Sequence, residues 1–329
     1  MKLALQIVFV HLGSPIPSHL ILNLRRTKKL FPEYKVVLLT DRPTKLITRG
    51  IDQKRLELDA KDKEVRDKYS FPKDFRNNFW FSSLARFSLI KKYMSTIRNP
   101  ILHIESDVIL SPDFPLELFE NLRQSFAYPV VSSQRAIAST LFIKDSESAS
   151  FLWDYAQNMV EKNSLSSDME ILFSLNTQFP QMVLELPIAP QFLRREAKAT
   201  SNSEFFEGFF DGHDFGVYLA GTNPWNSRGW SQLHTRIPES LLSFGSKNMN
   251  FEGHRSFISL RNKREMKSYR LFSLHITNKN PLFFSLLTSK LALRIWTEWM
   301  QKVDRTFHPV VWSIMLLRFI SKRIKALIT

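Results

Sequence analysis

The 329-residue chain contains no cysteine. This absence excludes disulfide bonds, cysteine-ligated zinc, iron–sulfur clusters and thiol nucleophiles, and it fits a reducing compartment. Glycine is scarce, and nine glycines with 16 prolines give neither a collagen-like nor a low-complexity composition. The sequence has no apolar run that reaches the roughly 18–20 residues of a membrane-spanning helix.

Acidic residues are in deficit relative to basic ones. The chain has 46 Lys and Arg against 31 Asp and Glu, a formal net charge of +15. This surplus favours an anionic partner such as nucleic acid, an acidic lipid surface or a phosphorylated small molecule. Because 43% of the residues are hydrophobic, the chain can bury a core, which excludes wholesale disorder.

The first 45 residues have the pattern of a β–α–β unit. Residues 7–10 form a short apolar run, and residues 35–40 form a second one that ends at Asp41. Between them, Ser18 can cap a helix that has apolar residues on one face. This order favours an α/β domain with a parallel sheet. Residues 44–79 are charged and irregular, and they predict a loop-rich insertion.

Apolar runs and amphipathic segments continue to alternate along the chain. We expect helices over 82–97, 147–162 and 168–175, and strands over 101–104, 127–133, 137–144, 182–188, 256–260 and 269–274. From Pro281 the chain lacks strand patterns and becomes rich in aromatic and aliphatic residues. We therefore predict a catalytic domain over residues 1–281 and a basic helical extension over residues 282–329.

The segment HIESDVIL (103–110) is the most informative motif. Two carboxylates, Glu105 and Asp107, are separated by one residue and lie between apolar strand residues. Mg²⁺ and Mn²⁺ prefer oxygen ligands, and the end of a strand can direct carboxylates into the crevice where α/β sheets bind ligands. Such a cation can hold a diphosphate. The alternative is an acidic turn exposed between two strands.

Three further clusters carry groups that could serve the same site. His275 and Lys279 follow a predicted strand, where an imidazole can bind a metal and an ammonium can neutralise a phosphate. Asp211 and Gly221 lie in a glycine- and aromatic-rich segment that suits sugar binding. Asp168 follows two serines. Taken singly, each has an ordinary explanation: a solvated side chain, a turn-forming loop or a helix N-terminus.

The order of these motifs resembles that of GT-A-fold glycosyltransferases of bacterial polysaccharide and lipopolysaccharide synthesis. The motifs are LLTD (38–41), FWFSSLARFSLI (79–90), NPILHIESDVIL (99–110), SDME (167–170), FFDGHDFGVYLAGTNPWN (209–226) and LHITNKN (274–280). Together they span roughly residues 5–280. The resemblance implies a Rossmann-type nucleotide-binding sheet with helices on both faces, a nucleotide-sugar donor, and Mn²⁺ or Mg²⁺ as cofactor.

The resemblance also implies a role for each candidate residue. In the metal site, Asp107 is a direct ligand, Glu105 contacts the ribose or metal-bound water, and His275 is the late ligand. Lys279 holds the diphosphate.

The remaining candidates surround the donor. His11, Asp41 and Arg86 lie near the nucleotide sugar, Asp211 and Gly221 line the donor-sugar or acceptor pocket, and Asp168 lies nearby. If the enzyme inverts configuration, Asp168 or Asp211 is the catalytic base.

The expected activity is transfer of a sugar, with UDP-sugars favoured as donors, to a hydroxyl of a glycan or lipid-linked acceptor. The late His–Lys element is similar to that of retaining, glycogenin-like enzymes and favours retention. Two alternatives stay open: a basic nucleic-acid-binding protein and a sugar-phosphate nucleotidyltransferase. The sequence lacks the common nucleic-acid-binding motifs, so we expect no nucleic-acid partner. A nucleotidyltransferase needs a glycine-rich, basic N-terminal loop, whereas residues 11–15 hold one glycine and no Lys or Arg.

The predicted extension combines basic and aromatic residues. Residues 282–329 hold eight Lys and Arg but two Asp and Glu, interleaved with tryptophan and phenylalanine. This pattern is typical of a helix on an anionic membrane surface, and it also suits a helix that packs on the catalytic domain. We expect a cytoplasmic protein with peripheral contact to the cytoplasmic face of the membrane.

Overall fold

A computed structural model describes most of the first 276 residues. The described ranges are 4–13, 15–45, 50–70, 79–163, 166–188, 205–213, 215–216, 249–253, 258–262 and 267–276. The predicted extension over 282–329 and the proposed boundary at residue 281 lie outside these ranges.

Fourteen strands form within the described ranges. They are β1 (Gln6–His11), β2 (Lys35–Thr40), β3 (Ile51–Arg55), β4 (Ile101–Ile104), β5 (Val108–Leu110), β6 (Phe126–Ser132), β7 (Arg135–Ala136), β8 (Thr140–Ile143), β9 (Val183–Leu186), β10 (Gly208–Phe209), β11 (Met249–Gly253), β12 (Ile258–Asn262), β13 (Lys267–Leu271) and β14 (Ser273–His275).

The central sheet is mixed and has the order β3-β2-β1-β4-β8-β6-β7, with β9 also paired to β6. Strands β1 to β4 run parallel to one another, and β8 pairs antiparallel to β4. A second sheet has the order β10-β13-β12-β11. Strand β5 leaves the central sheet after β4 and pairs antiparallel with β14, which comes from the far end of the described chain.

Six helices surround the central sheet in the described part of the chain. They are α1 (Ser18–Leu30), α2 (Ala60–Lys68), α3 (Phe79–Met94), the single turn α4 (Leu116–Phe119), α5 (Ser146–Lys162) and α6 (Asp168–Gln178), and a short 3₁₀ turn covers Pro180–Met182. Local chemistry fixes where several of them begin. The Asp145 side chain caps α5, and Ser167 and Glu170 form a capping box at the start of α6.

Two hydrophobic clusters lie on opposite faces of the central sheet. Successive residues of a strand point to opposite faces, so Val8 joins the cluster of α2, α3, α5 and α6, whereas Ile7 and Phe9 join the cluster of α1 and α4. Helix α3 is apolar on most of its surface and is largely buried. The expectation of an α/β sheet with helices on both faces is therefore confirmed.

The prediction of a loop-rich insertion over residues 44–79 is wrong for much of that segment. Strand β3 and helix α2 lie there, and α3 begins at Phe79 rather than at residue 82. The charged residues of both elements hide the apolar periodicity by which a strand or helix is predicted. Strand β3 is a sheet edge in which Ile51 is buried and the next residues are half-buried or exposed, and α2 buries only Asp62 and Val65. Asp59 and Asp62 form a capping box that starts α2.

No helix among the described residues has both the length and the apolar character needed to cross a membrane.

Candidate active site

Three side chains from two distant segments meet at one end of the central sheet. Glu105 and Asp107 lie in the turn between β4 and β5, and His275 is the last residue of β14. One potential ligand atom from each lies within 4.8 Å of those from the other two. His275 Nε2 is 3.5 Å from Glu105 Oε2 and 3.6 Å from Asp107 Oδ1. The structure thus brings together the three side chains that the sequence resemblance assigns to a metal site.

Strand pairing explains how residues so far apart in sequence come together. His275 pairs with Val108 in the β5–β14 ladder, and the Ile276 N–H donates to the Asp107 carbonyl at 2.8 Å. On the other side of the turn, the Glu105 N–H donates to the Ser139 carbonyl at 3.1 Å. The two carboxylates and the imidazole are therefore held by backbone hydrogen bonds on both sides.

Arg86 of α3 connects this group to the start of α6. Its guanidinium forms ion pairs with Glu105 through Nη1 and with Asp168 through Nη2, and its Nε donates to the Ser83 carbonyl at 2.6 Å. The Arg86 side chain is 10% exposed and that of Asp168 is 6% exposed. A planar guanidinium can bind two carboxylates at once, so Arg86 fixes Asp168 relative to the Glu105–Asp107–His275 group.

The ionisation of the group follows from its burial and its charges. Burial alone raises the pKa of Glu105, but Arg86 and His275 outweigh it and lower that pKa below its ordinary value. Burial lowers the pKa of an imidazole, yet Asp107 and Glu105 raise the pKa of His275 to about 9. In the metal-free protein, His275 is therefore an imidazolium between two carboxylates.

Two carboxylate oxygens and one imidazole nitrogen are a donor set that Mn²⁺ and Mg²⁺ accept. Glu105 and Asp107 direct two carboxylates at His275 Nε2, at 3.5 and 3.6 Å, and two carboxylates at one point favour positive charge there. The residues therefore fit the divalent cation that the sequence resemblance implies.

Helix α1 holds the Glu105–Asp107 turn from behind, through residues that the sequence analysis did not single out. The Asn23 amide donates to the carbonyls of Ser106 at 3.2 Å and Val108 at 2.7 Å. His19 Nε2 is 3.4 Å from Ser106 Oγ, and Arg26 Nη1 donates to the Leu110 carbonyl at 2.5 Å. Residues 19, 23 and 26 share a helix face because they are three or four positions apart. In the sequence, the only sign of these contacts is that three polar residues share one face of a predicted helix.

Asp211 is fully buried and carries an unusual number of backbone contacts. Its Oδ1 accepts from the N–H groups of His213 and Phe215, and its Oδ2 accepts from those of Gly216 and His275. Burial raises the pKa of Asp211, whereas N–H groups that point at both oxygens favour its ionised form. This geometry leaves no oxygen for an acceptor hydroxyl, contrary to the expectation that Asp211 acts as a base or lines a sugar pocket.

His213 also approaches the group without having been predicted. Its ring lies at 5.7 Å from the His275 ring, centroid to centroid, in an edge-to-face arrangement. Burial and His275 lower the pKa of His213 to about 4, so this imidazole is neutral. Its φ of 123° is a conformation that non-glycine residues rarely adopt.

His11 and Asp41 lie at the carboxyl ends of the neighbouring parallel strands β1 and β2. His11 pairs in register with Thr40, the residue before Asp41. Both Asp41 oxygens lie 3.2 Å from the Gly13 N–H, which donates to them. The two residues thus share the sheet edge where open α/β sheets bind ligands. Gly221 and Lys279, the other predicted contacts to the donor, lie outside the described residues.

Comparisons with solved structures found glycosyltransferases. The chain is similar to the galactosyltransferase LgtC, solved with donor and acceptor sugar analogues, over 55% of this chain and 73% of that one, with 13% identity and a TM-score of 0.41. Mouse xyloside xylosyltransferase 1, in its apo form, matches over 62% and 92%, with 11% identity and a TM-score of 0.37. A glycosyltransferase involved in glycosylation of the major capsid of PBCV-1 matches over 55% and 82%, with 11% identity and a TM-score of 0.34.

All three are glycosyltransferases, the class that the sequence resembles. At these identities and TM-scores the likeness does not carry residue roles or substrates to this chain, so its chemistry depends on its own side chains. Neither protein-family models nor curated protein sequences gave a match.

Proposed function

We propose that this protein is a glycosyltransferase that uses a nucleotide-sugar donor and a divalent cation, Mn²⁺ or Mg²⁺. The observation that carries the proposal is the convergence of Glu105, Asp107 and His275 at the ligand-binding edge of the central sheet, beside the Arg86–Asp168 pair. A buried hard-cation site at such an edge suits a diphosphate ligand.

The proposed roles follow from what each side chain contacts. Asp107 and His275 bind the cation directly, and Glu105 binds it while accepting from Arg86. Because Arg86 pairs with Glu105, it would hold that carboxylate in a fixed orientation toward a cation. The positive charge of the cation then offsets the negative charge that develops on the departing nucleoside diphosphate.

The diphosphate needs further positive charge, and the donor needs a place for its nucleoside. We assign the first role to Lys279 and the second to His11 and Asp41, which end two parallel strands beside the group. Gly221 belongs to the sugar pocket in this proposal. In the transfer itself, the bond from the anomeric carbon to the diphosphate breaks and a bond to the acceptor oxygen forms.

Asp168 is the carboxylate that remains available for contact with the donor sugar or the acceptor hydroxyl. It is the first residue of α6, is 5% exposed, and has one oxygen paired with Arg86. Burial raises its pKa despite the opposing effect of Arg86. Only an inverting enzyme needs a catalytic base, and Asp168 would take that role there.

The finer assignments rest on the sequence alone. We propose a UDP-sugar as the donor, a glycan or lipid-linked hydroxyl as the acceptor, and retention of configuration, because the late His–Lys element is similar to that of retaining enzymes. The basic aromatic segment 282–329 would bring the enzyme to a lipid-linked acceptor at the cytoplasmic membrane surface.

A ligand screen followed by product analysis tests the proposal. A ligand that binds only the folded state raises its melting temperature, so a nucleotide sugar should stabilise the protein more with Mn²⁺ than without it. The stabilising donor should then release a nucleoside diphosphate, and Asp107→Asn should abolish the release. Release of pyrophosphate from a nucleoside triphosphate and a sugar phosphate would instead indicate a nucleotidyltransferase. Metal-independent release that Asp107→Asn leaves unchanged would contradict the proposal.

A further inference from the structure

We infer that Asp211 is a positioning residue that fixes the backbone of His275 and thereby sets the geometry of the proposed cation site. The inference rests on the proposed function insofar as it assigns His275 a cation. We call the Asp211 carboxylate and the four N–H groups that donate to it, those of His213, Phe215, Gly216 and His275, the clasp. The clasp is present in the metal-free protein.

Asp211 first shapes its own loop. Its carboxylate accepts the N–H groups of the residues two, four and five positions later, at 2.8 Å from His213, 3.1 Å from Phe215 and 2.8 Å from Gly216. Hydrogen bonds of an aspartate to the backbone just after it are a common way to build a tight turn. They also hold His213 at its rare positive φ.

The fourth hydrogen bond distinguishes this aspartate from an ordinary turn residue. The His275 N–H, 64 residues along the chain, donates to Asp211 Oδ2 at 2.8 Å. The same oxygen accepts from Gly216, so one atom joins the loop to β14 at the residue that carries the imidazole. The Asp211 N–H also donates to Ser273 Oγ at 3.2 Å. Ser273 lies in β14, two residues before His275.

Gly216 brings the loop against the same point of β14. A Cβ atom on this glycine would lie 1.6 Å from the His275 carbonyl oxygen, a distance that no side chain can occupy. The loop backbone therefore packs directly on the His275 peptide. On its other edge β14 pairs with β5, so His275 is held between the Asp211 loop and the strand that follows Asp107.

Energetics favour a role for Asp211 in holding backbone rather than in proton transfer. A fully buried carboxylate is costly unless hydrogen bonds compensate for the lost water, and four N–H donors provide that compensation. Partners that orient a metal ligand without touching the metal typically change affinity by about 10- to 100-fold when they are removed. We expect an effect of that size from Asp211 through His275.

Histidine amides report on the clasp without any metal. In metal-free protein labelled with ¹⁵N at its eight histidines, the amides of His213 and His275 should exchange slowly with solvent in the wild type. In Asp211→Ala, which removes both acceptor oxygens, exchange at His275 should become faster. Unchanged exchange at His275 would overturn the inference.

Manganese titration gives the second readout. Asp211→Asn should weaken Mn²⁺ binding about 10- to 100-fold relative to the wild type, and Asp211→Ala should weaken it further. Gly216→Ala displaces the same peptide without altering the carboxylate, and it should also weaken Mn²⁺ binding. An affinity within twofold of the wild type in all variants would overturn the inference.

Asp62→Asn is the matched control. Asp62 of α2 is another buried carboxylate, and it accepts from Ser88 Oγ and Lys92 Nζ of α3 and from the Asp59 N–H. Asp62→Asn should destabilise the fold yet leave amide exchange at His275 and the affinity for Mn²⁺ unchanged. If Asp62→Asn has the same effects as the Asp211 variants, the role of Asp211 is merely structural. If wild-type protein binds no Mn²⁺, the proposed cation site fails, and His275 exchange alone decides on the clasp.

Discussion

Replacing Arg86 by alanine should destabilise the protein far more than the loss of a surface charge. Arg86 pairs with two carboxylates, Glu105 and Asp168, and all three side chains are less than a fifth exposed. Removing one partner of a buried ion pair costs about 3–5 kcal/mol, because it leaves uncompensated charge in the interior. Since two carboxylates lose their partner here, we expect a value in the upper part of that range.

Urea denaturation followed by circular dichroism measures this change as a shift of the midpoint at constant slope. Lys91→Ala is the control, because Lys91 forms an ion pair at 2.9 Å with Asp154 and both side chains are substantially exposed, at 31% and 52%. Its loss should change the free energy of unfolding by less than about 1 kcal/mol. If Arg86→Ala lowers the free energy of unfolding no more than Lys91→Ala does, the ion pairs of Arg86 with Glu105 and Asp168 do not stabilise the site.

A second substitution and a change of pH test the same reasoning. Arg86→Ala with Asp168→Asn should recover part of the lost stability, because the double variant no longer buries one of the unpaired charges. In the wild type, Arg86 lowers the pKa of Glu105, so that contribution is present above the unfolded-state pKa and is lost as pH falls. In Arg86→Ala, burial instead raises carboxylate pKa values, and the deficit should shrink as pH falls.

Four further predictions concern other parts of the site and the chain. Mn²⁺ affinity should rise by up to tenfold per pH unit between pH 7 and 9, because the cation must displace a proton from His275, whose pKa is raised to about 9; a pH-independent affinity would contradict this. Without metal, His275 contributes its full stabilisation below pH 6.5, the ordinary pKa of histidine, and this contribution is lost as pH rises through about 9. Asn23→Ala should lower the free energy of unfolding by about 1–3 kcal/mol in urea titrations, because the Val108 carbonyl loses its donor; a change below 0.5 kcal/mol, the size of an ordinary surface effect, would refute that role. Glutamine at Lys322, Arg323 and Lys325 should reduce co-sedimentation with anionic vesicles, and unchanged sedimentation would argue against the tail as a membrane contact.

The sequence predicted those parts of the fold that hydrophobic periodicity controls. Strand β2 occupies the range predicted for it, and Ser167-Asp168 begins a helix as its capping pattern indicates. Strand β3 and helix α2 were missed because they have few buried residues, so tertiary pairing rather than periodicity decides their structure. In a single sequence, a charged strand at a sheet edge has the same residue pattern as a loop.

The candidate site was predictable to the extent that motifs mark the ends of strands. Short polar runs after apolar strands marked Glu105, Asp107 and His275 as candidates, and the family resemblance joined them into one predicted metal site; the structure brings their side chains together. The role of Asp211 was not predictable, since its decisive contact is a backbone N–H 64 residues away. The contacts of Asn23 were not predictable either, because its partners are backbone carbonyl groups; the polar helix face that it shares with His19 and Arg26 was the only sign in the sequence.

The most direct test of the central claim is pulsed electron paramagnetic resonance of Mn²⁺ added to protein labelled with ¹⁵N histidine. If Glu105, Asp107 and His275 form the cation site, the spectrum should contain the coupling of a directly bound imidazole nitrogen. That coupling should disappear in His275→Gln, and Asp107→Asn should abolish tight binding. Tightly bound Mn²⁺ without nitrogen coupling, or with a coupling that persists in His275→Gln, would contradict the account.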